Sequence, residues 1–230
     1  MACALLVQWY QEIPRPRTRE SFPSWFKNHK KAIEQFQNQV TSRYAECTLQ
    51  RLLANGEPVA KDAAAFCLGI LGTWDSNPHL AAALKDSDEG IRQMAAEAMW
   101  SLWFRSHEPR HSLELRRIVR LRDRRKAMEG LNTLIVEAPD FAEAWNQRAI
   151  LNFKAKRFEE AIHDCEKTLQ LNPWHFGAQA GMAQAYMHMR RHAAALRAFR
   201  AAHRINPHMD GIVSTIRLLE KALDEGSSAE

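Results

Sequence analysis

The sequence predicts an all-α chain of stacked helical pairs, and three observations carry that expectation. Glycine and proline are scarce, nine of each in 230 residues, too few for the many turns of an all-β chain. Hydrophobic residues make up 46% and charged residues 26%, the balance of a packed globular chain rather than a disordered or fibrous one. Third, Pro139, Pro173 and Pro207 stand 34 residues apart, and Ala127, Ala161, Ala195 and Leu131, Cys165, Phe199 keep the same step. A fixed period of that length marks a repeat architecture, in which one helical pair cannot bury its apolar face alone and stacks on the next.

Taken in order, residues 1–20 show no helical period. Ile13–Arg19 alternates proline with arginine, which predicts an extended, solvated N-terminal arm. Met1–Val7 is apolar but short and lacks the basic region of a signal peptide, and no stretch reaches the roughly 20 apolar residues of a membrane span, so a cytoplasmic chain without membrane contact is expected. Phe22-Pro23-Ser24-Trp25 opens a helix that continues through Phe26, Ile33, Phe36 and Val40, with Pro23 and Ser24 as start signals. Between Thr41 and Ser106 four apolar runs follow, separated by Asn55-Gly56-Glu57-Pro58, by Gly72–Pro78 and by Asp86-Ser87-Asp88. These are short, capped turns of the kind that join helical neighbours. Trp100 and Trp103, three apart beside Met99, Leu102 and Phe104, read as a buried junction.

Within residues 21–107, the stretch Leu80–Trp100, with Leu84, Asp86, Asp88, Ile91-Arg92 and Ala95-Ala96, resembles a short HEAT-type repeat of the phycobilisome-lyase kind. A looser copy precedes it at Asn55, Ala60-Lys61 and Ala63–Ala65. The resemblance implies that Asp86 and Arg92 tie the stack together. It does not carry the lyase chemistry, because fold and activity are separable.

Residues 108–225 hold the clearest period. Ala142–Pro173 places Trp145, Ala149, Phe158, Ala161 and Pro173 at the aromatic, small, turn, close-crossing and stop positions, and so resembles the tetratricopeptide repeat (TPR) family. It departs from the family pattern at Arg148, where leucine is usual, and at Asn152, where an aromatic is usual. The next copy supplies Met182, Ala183, Tyr186, Ala195, Phe199 and Ala202, and the one before it Ala127, Leu131, Leu134 and Pro139. Three units follow, at about 108–141, 142–175 and 176–209, with a capping helix over 209–223 and a tail at 226–230. The resemblances together imply a right-handed α-α superhelical solenoid of HEAT-like pairs, three TPR units and a cap.

In TPR proteins the first helices of successive units line a concave groove. That resemblance assigns Arg116, Arg120, Asn146, Gln147, Phe153 and Lys154 as the partner-contact set, with Ser112, Val119, Ile150, Gln184, Met187 and His188 beside them. The lining is basic at one end and apolar in the middle, which suits an acidic, amphipathic peptide or helix. Arg116 and Arg120 are spaced to grip carboxylates. The carboxylate-clamp subtype, which holds chaperone tails, is disfavoured because its basic positions are Gly177 and Gly181 here.

No nucleophile elbow, phosphate loop, zinc-protease motif or dinucleotide fingerprint is present, so neither catalysis, nor a cofactor, nor a small-molecule substrate is expected. His188 and His192, and His163 with Cys165, are too few and too divergent for a metal site. The four cysteines contain no C-x-x-C pair and read as free thiols of a reducing compartment. The formal charge of +5 is local: Arg110–Lys126 alone holds eight bases against two acids. That cluster, with the Pro-Arg arm, supports a second reading in which RNA or another nucleic acid is bound. A weaker third reading is an accessory subunit of an enzyme complex.

Overall fold

The computed structural model describes residues 2–14 and 28–227, and among them every regular element is a helix. The chain divides into two compact units, Met1–Leu102 and Trp103–Glu230, a boundary five residues ahead of the one drawn from sequence. In the first unit lie α1 (Ala2–Glu12), α2 (Lys30–Thr41), α3 (Glu46–Asn55), α4 (Pro58–Leu71), a single 3-10 turn at Trp74–Ser76, α5 (Asn77–Ala83) and α6 (Glu89–Trp103).

The N-terminal residues correct the extended arm. Ala2–Glu12 is helical, and Leu6, Tyr10 and Ile13 are buried at a helical spacing. The unbroken apolar run ahead of them hides that period. Leu6 N–H donates to the Tyr44 hydroxyl at 3.1 Å, and the Tyr10 hydroxyl to Asp62 at 2.8 Å. Residues Arg15–Arg19 of the Pro-Arg run and Phe22–Phe26 of the expected helix start lie outside the described residues, whereas Ile33, Phe36 and Val40 are the buried face of α2.

Helix α4 is the hub of this unit, with α1, α2 and α3 all packed on it. Its residues Ala63–Gly69 are buried without a polar face, and the rings of Tyr10 and Phe36 meet Phe66 at 5.5 and 5.8 Å. Small residues set the approach to α6: a Cβ at Gly69 would stand 2.8 Å from the Ala98 Cα. Asp86 and Arg92 do not pair through their charged groups. The Asp86 carboxylate takes Lys61 Nζ at 2.7 Å, while Arg92 Nη1 donates to the backbone carbonyls of Asp86 and Ser87 at 2.9 and 2.8 Å. The hydrogen bond from Lys61 holds the Asp86 carboxyl below its ordinary pKa.

The second unit runs α7 (Pro109–Ile118), α8 (Arg124–Glu137), α9 (Ala142–Lys154), α10 (Phe158–Leu171), α11 (Phe176–His188), α12 (His192–Ile205) and α13 (Ile212–Ser227), each packed on the next. Its punctuation is physical. Pro109 opens α7 where a missing N–H costs nothing, and Asp123 caps α8 by accepting from the Arg125 and Lys126 N–H groups. The Asn-Pro pairs that end α10 and α12 work through the asparagine: Asn172 Oδ1 accepts from Trp174 N–H, and Asn206 Oδ1 from His208 N–H, spanning the proline that has no donor. Ile212 and Leu219 of α13 are buried against Leu196, Phe199 and Ala202 of α12.

Helices α9 and α11 end alike. Lys156 and Arg190, one repeat apart, take left-handed φ values of 59° and 58°. Around them Arg157 N–H reaches Asn152 O and Arg191 N–H reaches Tyr186 O, both at 2.9 Å, the Schellman closure that glycine normally serves.

Two changes test this account. Gly69→Ala forces α4 from α6, and overpacking at about 2 kcal/mol exceeds the roughly 1 kcal/mol that alanine gains over glycine in a helix, so denaturant unfolding shows net destabilisation. Lys156→Gly and Arg190→Gly relieve left-handed strain and each raise stability by about 1 kcal/mol in the same measurement.

Candidate functional site

The 34-residue step places three rows of residues on the first helices of the pairs and the turns that end them. Val119, Phe153 and Met187 share one position, Arg120, Lys154 and His188 the next, and Arg116, Ile150 and Gln184 a third. Large apolar groups are left in solvent here: Val119 is 40% exposed, Ile150 36% and Met187 38%. Arg116, Arg120, Lys154 and His188 are exposed beside them. The half-buried Phe153 ring stands edge-on to Phe158 at 5.6 Å and to His188 at 5.3 Å, and His188 stacks flat on Phe158 at 4.9 Å. These contacts join the second and third pairs along the row.

Charge on this face is uncompensated. Arg117 forks Glu114 with bonds of 2.8 and 2.6 Å, Arg110 pairs with Glu108, and Arg125 with Glu129. Arg116 and Arg120 have no ion-pair partner among the described residues. Partial burial, and then the neighbouring charge of Arg120, lower the pKa of Arg116.

Asn146 and Gln147, expected in the contact set, make their hydrogen bonds inside the stack. Asn146 is 3% exposed. Asn146 Nδ2 and Gln147 Nε2 both donate to Glu143 Oε1, at 3.0 and 2.7 Å, and the other carboxylate oxygen meets His175 Nε2 at 3.0 Å. His175 Nδ1 accepts from Ala178 N–H and so caps α11, and its ring stacks on Trp103 at 4.1 Å. Glu143 and His175 are both 0% exposed. Four hydrogen bonds satisfy a carboxylate and an imidazole that burial would otherwise make costly, so this cluster is structural. Sequence reading passed over Glu143 because an acid in a helix's first turn is an ordinary surface residue favoured by the helix dipole.

The two departures from the repeat pattern resolve together. Arg148 forks the buried Asp164 with bonds of 2.9 and 2.7 Å, donates to Asn132 at 2.9 Å and lies 4.8 Å over the Trp145 ring. Asn152 Nδ2 donates to the same Asp164 at 2.9 Å. Asn132, Arg148, Asn152 and Asp164 line a cleft of about 440 Å³ with Met128, Arg157 and His163, and its buried floor is already paired. The same niche is filled differently in each pair: by Ile118 against Gly130, where a Cβ would come within 3.0 Å of Ile118, by Asn152 with Asp164, and by Tyr186 and Ala198 in one apolar cluster.

Among the described residues no group of three or more His, Cys, Asp or Glu is arranged to hold a metal ion. His163 is exposed while Cys165 is buried, its thiol pushed up to about 12 chiefly by burial. Cys47 and Cys67 are also free thiols, and burial raises the pKa of Cys67. No described helix is long and apolar enough to cross a membrane.

Residues 142–175, which comprise α9, α10 and the turn after them, match the tetratricopeptide repeat family. A TPR repeat-containing protein of Rhizobium etli is 44% identical over 57 residues, covering 25% of this chain and 28% of that protein. Sperm-associated antigen 1 of Rattus norvegicus is 31% identical over 88 residues, covering 38% of this chain and 10% of that protein. The chain thus spans under a third of the length of either relative.

Removing one partner of the Arg148–Asp164 fork strands a buried charge. Arg148→Met is expected to cost about 3 kcal/mol in denaturant unfolding. Arg148→Met with Asn152→Tyr and Asp164→Ala, the residues of the third pair, restores stability to within about 1 kcal/mol.

Proposed function

We propose that the chain is a protein-interaction module whose contact face is the paired apolar and basic rows of the second unit. The observation that carries this reading is an apolar row, Val119, Phe153 and Met187, that persists through all three pairs beside a row that is cationic in the first two, at Arg120 and Lys154, and carries His188 in the third. Val119 and Met187 are left in water without a folding rationale, and Arg116, Arg120 and Lys154 beside them have no ion-pair partner among the described residues. The partner that fits is an acidic, amphipathic segment, its apolar side on Val119, Phe153 and Met187 and its carboxylates toward Arg116, Arg120 and Lys154. Stacked helices hold these groups in place beforehand, so docking loses little protein entropy. The pattern of Leu80–Trp100 supports a HEAT-like reading of the first unit, and no chemistry is assigned to either unit.

A specific observation favours a second reading, nucleic-acid binding at the α7–α8 turn. Arg124, Arg125 and Lys126 occupy the first turn of α8, where the helix dipole disfavours each cation by about 0.3 to 1 kcal/mol. All three are exposed with Arg122, and only Arg125 has an acidic side chain as its partner.

The two readings separate in one experiment. A protein captured by the immobilised full chain is identified by mass spectrometry, and its binding segment is titrated against the wild-type chain, Met187→Glu, and Arg120→Glu with Lys154→Glu. Each variant is expected to weaken binding about tenfold or more, with thermal unfolding unchanged because these side chains are exposed. Binding of a labelled single-stranded RNA that falls steeply with salt and is lost in Arg122→Glu with Arg124→Glu, with no captured protein sensitive to Met187→Glu, favours the second reading instead.

A further inference from the structure

The start of α7 holds a histidine pair whose hydrogen positions are fixed by geometry. His107 Nδ1 accepts from the Glu108 N–H at 2.8 Å, so it carries no hydrogen and the ring proton sits on Nε2, which donates to Asp140 Oδ1 at 3.1 Å. His111 Nδ1 lies 2.8 Å from the same His107 Nδ1. Two nitrogens at that distance need a hydrogen between them, and it belongs to His111. The lone pair of His111 is therefore on Nε2. That atom is buried, on a residue 3% exposed, and has no hydrogen-bond partner. Ahead of it, 3.9 Å away, stands Glu137 Oε2 at the end of α8.

We propose that His111 Nε2 is the proton-accepting atom of a latch between α7 and the C-terminal end of α8. One proton taken from solvent turns the orphaned acceptor into a charged donor facing a carboxylate. Closing 3.9 Å to about 2.8 Å makes a charge-assisted hydrogen bond. His107 cannot compete for that proton, because its only lone pair already receives two donors and its Nε2 hydrogen is engaged by Asp140.

The charges around the site fix the balance. On the α7 side are Glu108, neutralised by Arg110 at 3.0 Å, and His107. From α8 comes Glu137, and from the following turn Asp140, whose pKa is lowered first by the His107 hydrogen bond. Asp140 is thus ionised wherever histidine titrates. The positive end of the α7 dipole opposes a charged His111, while the carbonyls ending α8 favour it. A proton on Nε2 faces the Glu137 carboxylate, so the latch closes on the acid side of the histidine range and opens on the alkaline side.

Because α7 carries Arg116 and leads into Arg120, closing the latch fixes the basic end of the contact face. That consequence rests on the proposed binding role, whereas the latch is tested without a partner. The measurement is an NMR titration of imidazole nitrogens in the full chain, from about pH 8 to about pH 5, in wild type and Glu137→Gln. The expected result is an Nδ1–H tautomer for His111 at the alkaline end and one protonation whose midpoint falls by about 1 unit in Glu137→Gln. His111 neutral throughout, protonation of His107 first, or an unmoved midpoint overturns the proposal. Thermal unfolding supplies the second readout: wild type gains on Glu137→Gln as pH falls, and an equal difference at both ends of the range also overturns it. Glu137 is largely exposed, so this variant folds even if His111→Asn does not.

Discussion

The second unit depends on one buried ion-accepting contact. Glu143 and His175 meet at 3.0 Å with no access to water, and everything around them is arranged so that neither group is left short of a partner. Asn146 and Gln147 supply the other oxygen of the carboxylate, the Ala178 N–H supplies the far nitrogen of the imidazole, and Trp103 covers the ring. Because the donors come from α9 and the loop before α11, the contact fixes how the third pair follows the second. A wrong rotation between them would strand a carboxylate in an apolar interior, a penalty of several kcal/mol. Apolar packing alone tolerates such slips far better, since contacts among the alanines and methionines near Ala183 and Ala195 are non-directional.

That arrangement explains which side chains remain for contact. Position within the first helices decides it: the early turns, at Glu143, Asn146 and Gln147, face inward and are consumed by the stack. In the last turn Lys154 is exposed and Phe153 half-buried. The proposed contact face is thus narrower than a full helix-lined groove and is displaced toward the turns, where Val119, Arg120, Met187 and His188 lie.

Much of the fold was legible, and the reasons are local. The 34-residue period is a packing constraint repeated in the sequence, so it announces the helical pairs directly. Proline and asparagine at the helix ends act through backbone donors within two residues, and Ile33, Phe36 and Val40 give a clean amphipathic stripe. Other features needed coordinates. The helix at Ala2–Glu12 is hidden because apolar residues fill both of its faces at the start. Asn146 reads as a groove residue until its partner, three residues back, is seen to be buried. Arg148 and Asn152 were visible as departures, but the acid that unites them is 12 residues beyond Asn152, on another helix. Asp86 and Arg92 show the limit of analogy, since the acid is matched by a lysine 25 residues earlier. Of the six residues expected to make contact, Arg116, Arg120 and Lys154 are exposed, Phe153 and Gln147 are half-buried and Asn146 is buried.

The niche between the two helices of each pair has a consequence for the history and re-engineering of the chain. Ile118 with Gly130, Asn152 with Asp164, and Tyr186 with Ala198 are each complete inside a single pair. A gene segment encoding one pair can therefore be duplicated, deleted or transplanted without orphaning a residue in this niche. The Glu143 cluster does not share that portability, because its histidine opens the pair that follows. Arg148 does reach across the seam before the middle pair, to Asn132 at 2.9 Å, but that amide is exposed, so exchange of repeats costs less at that seam than at the one after it.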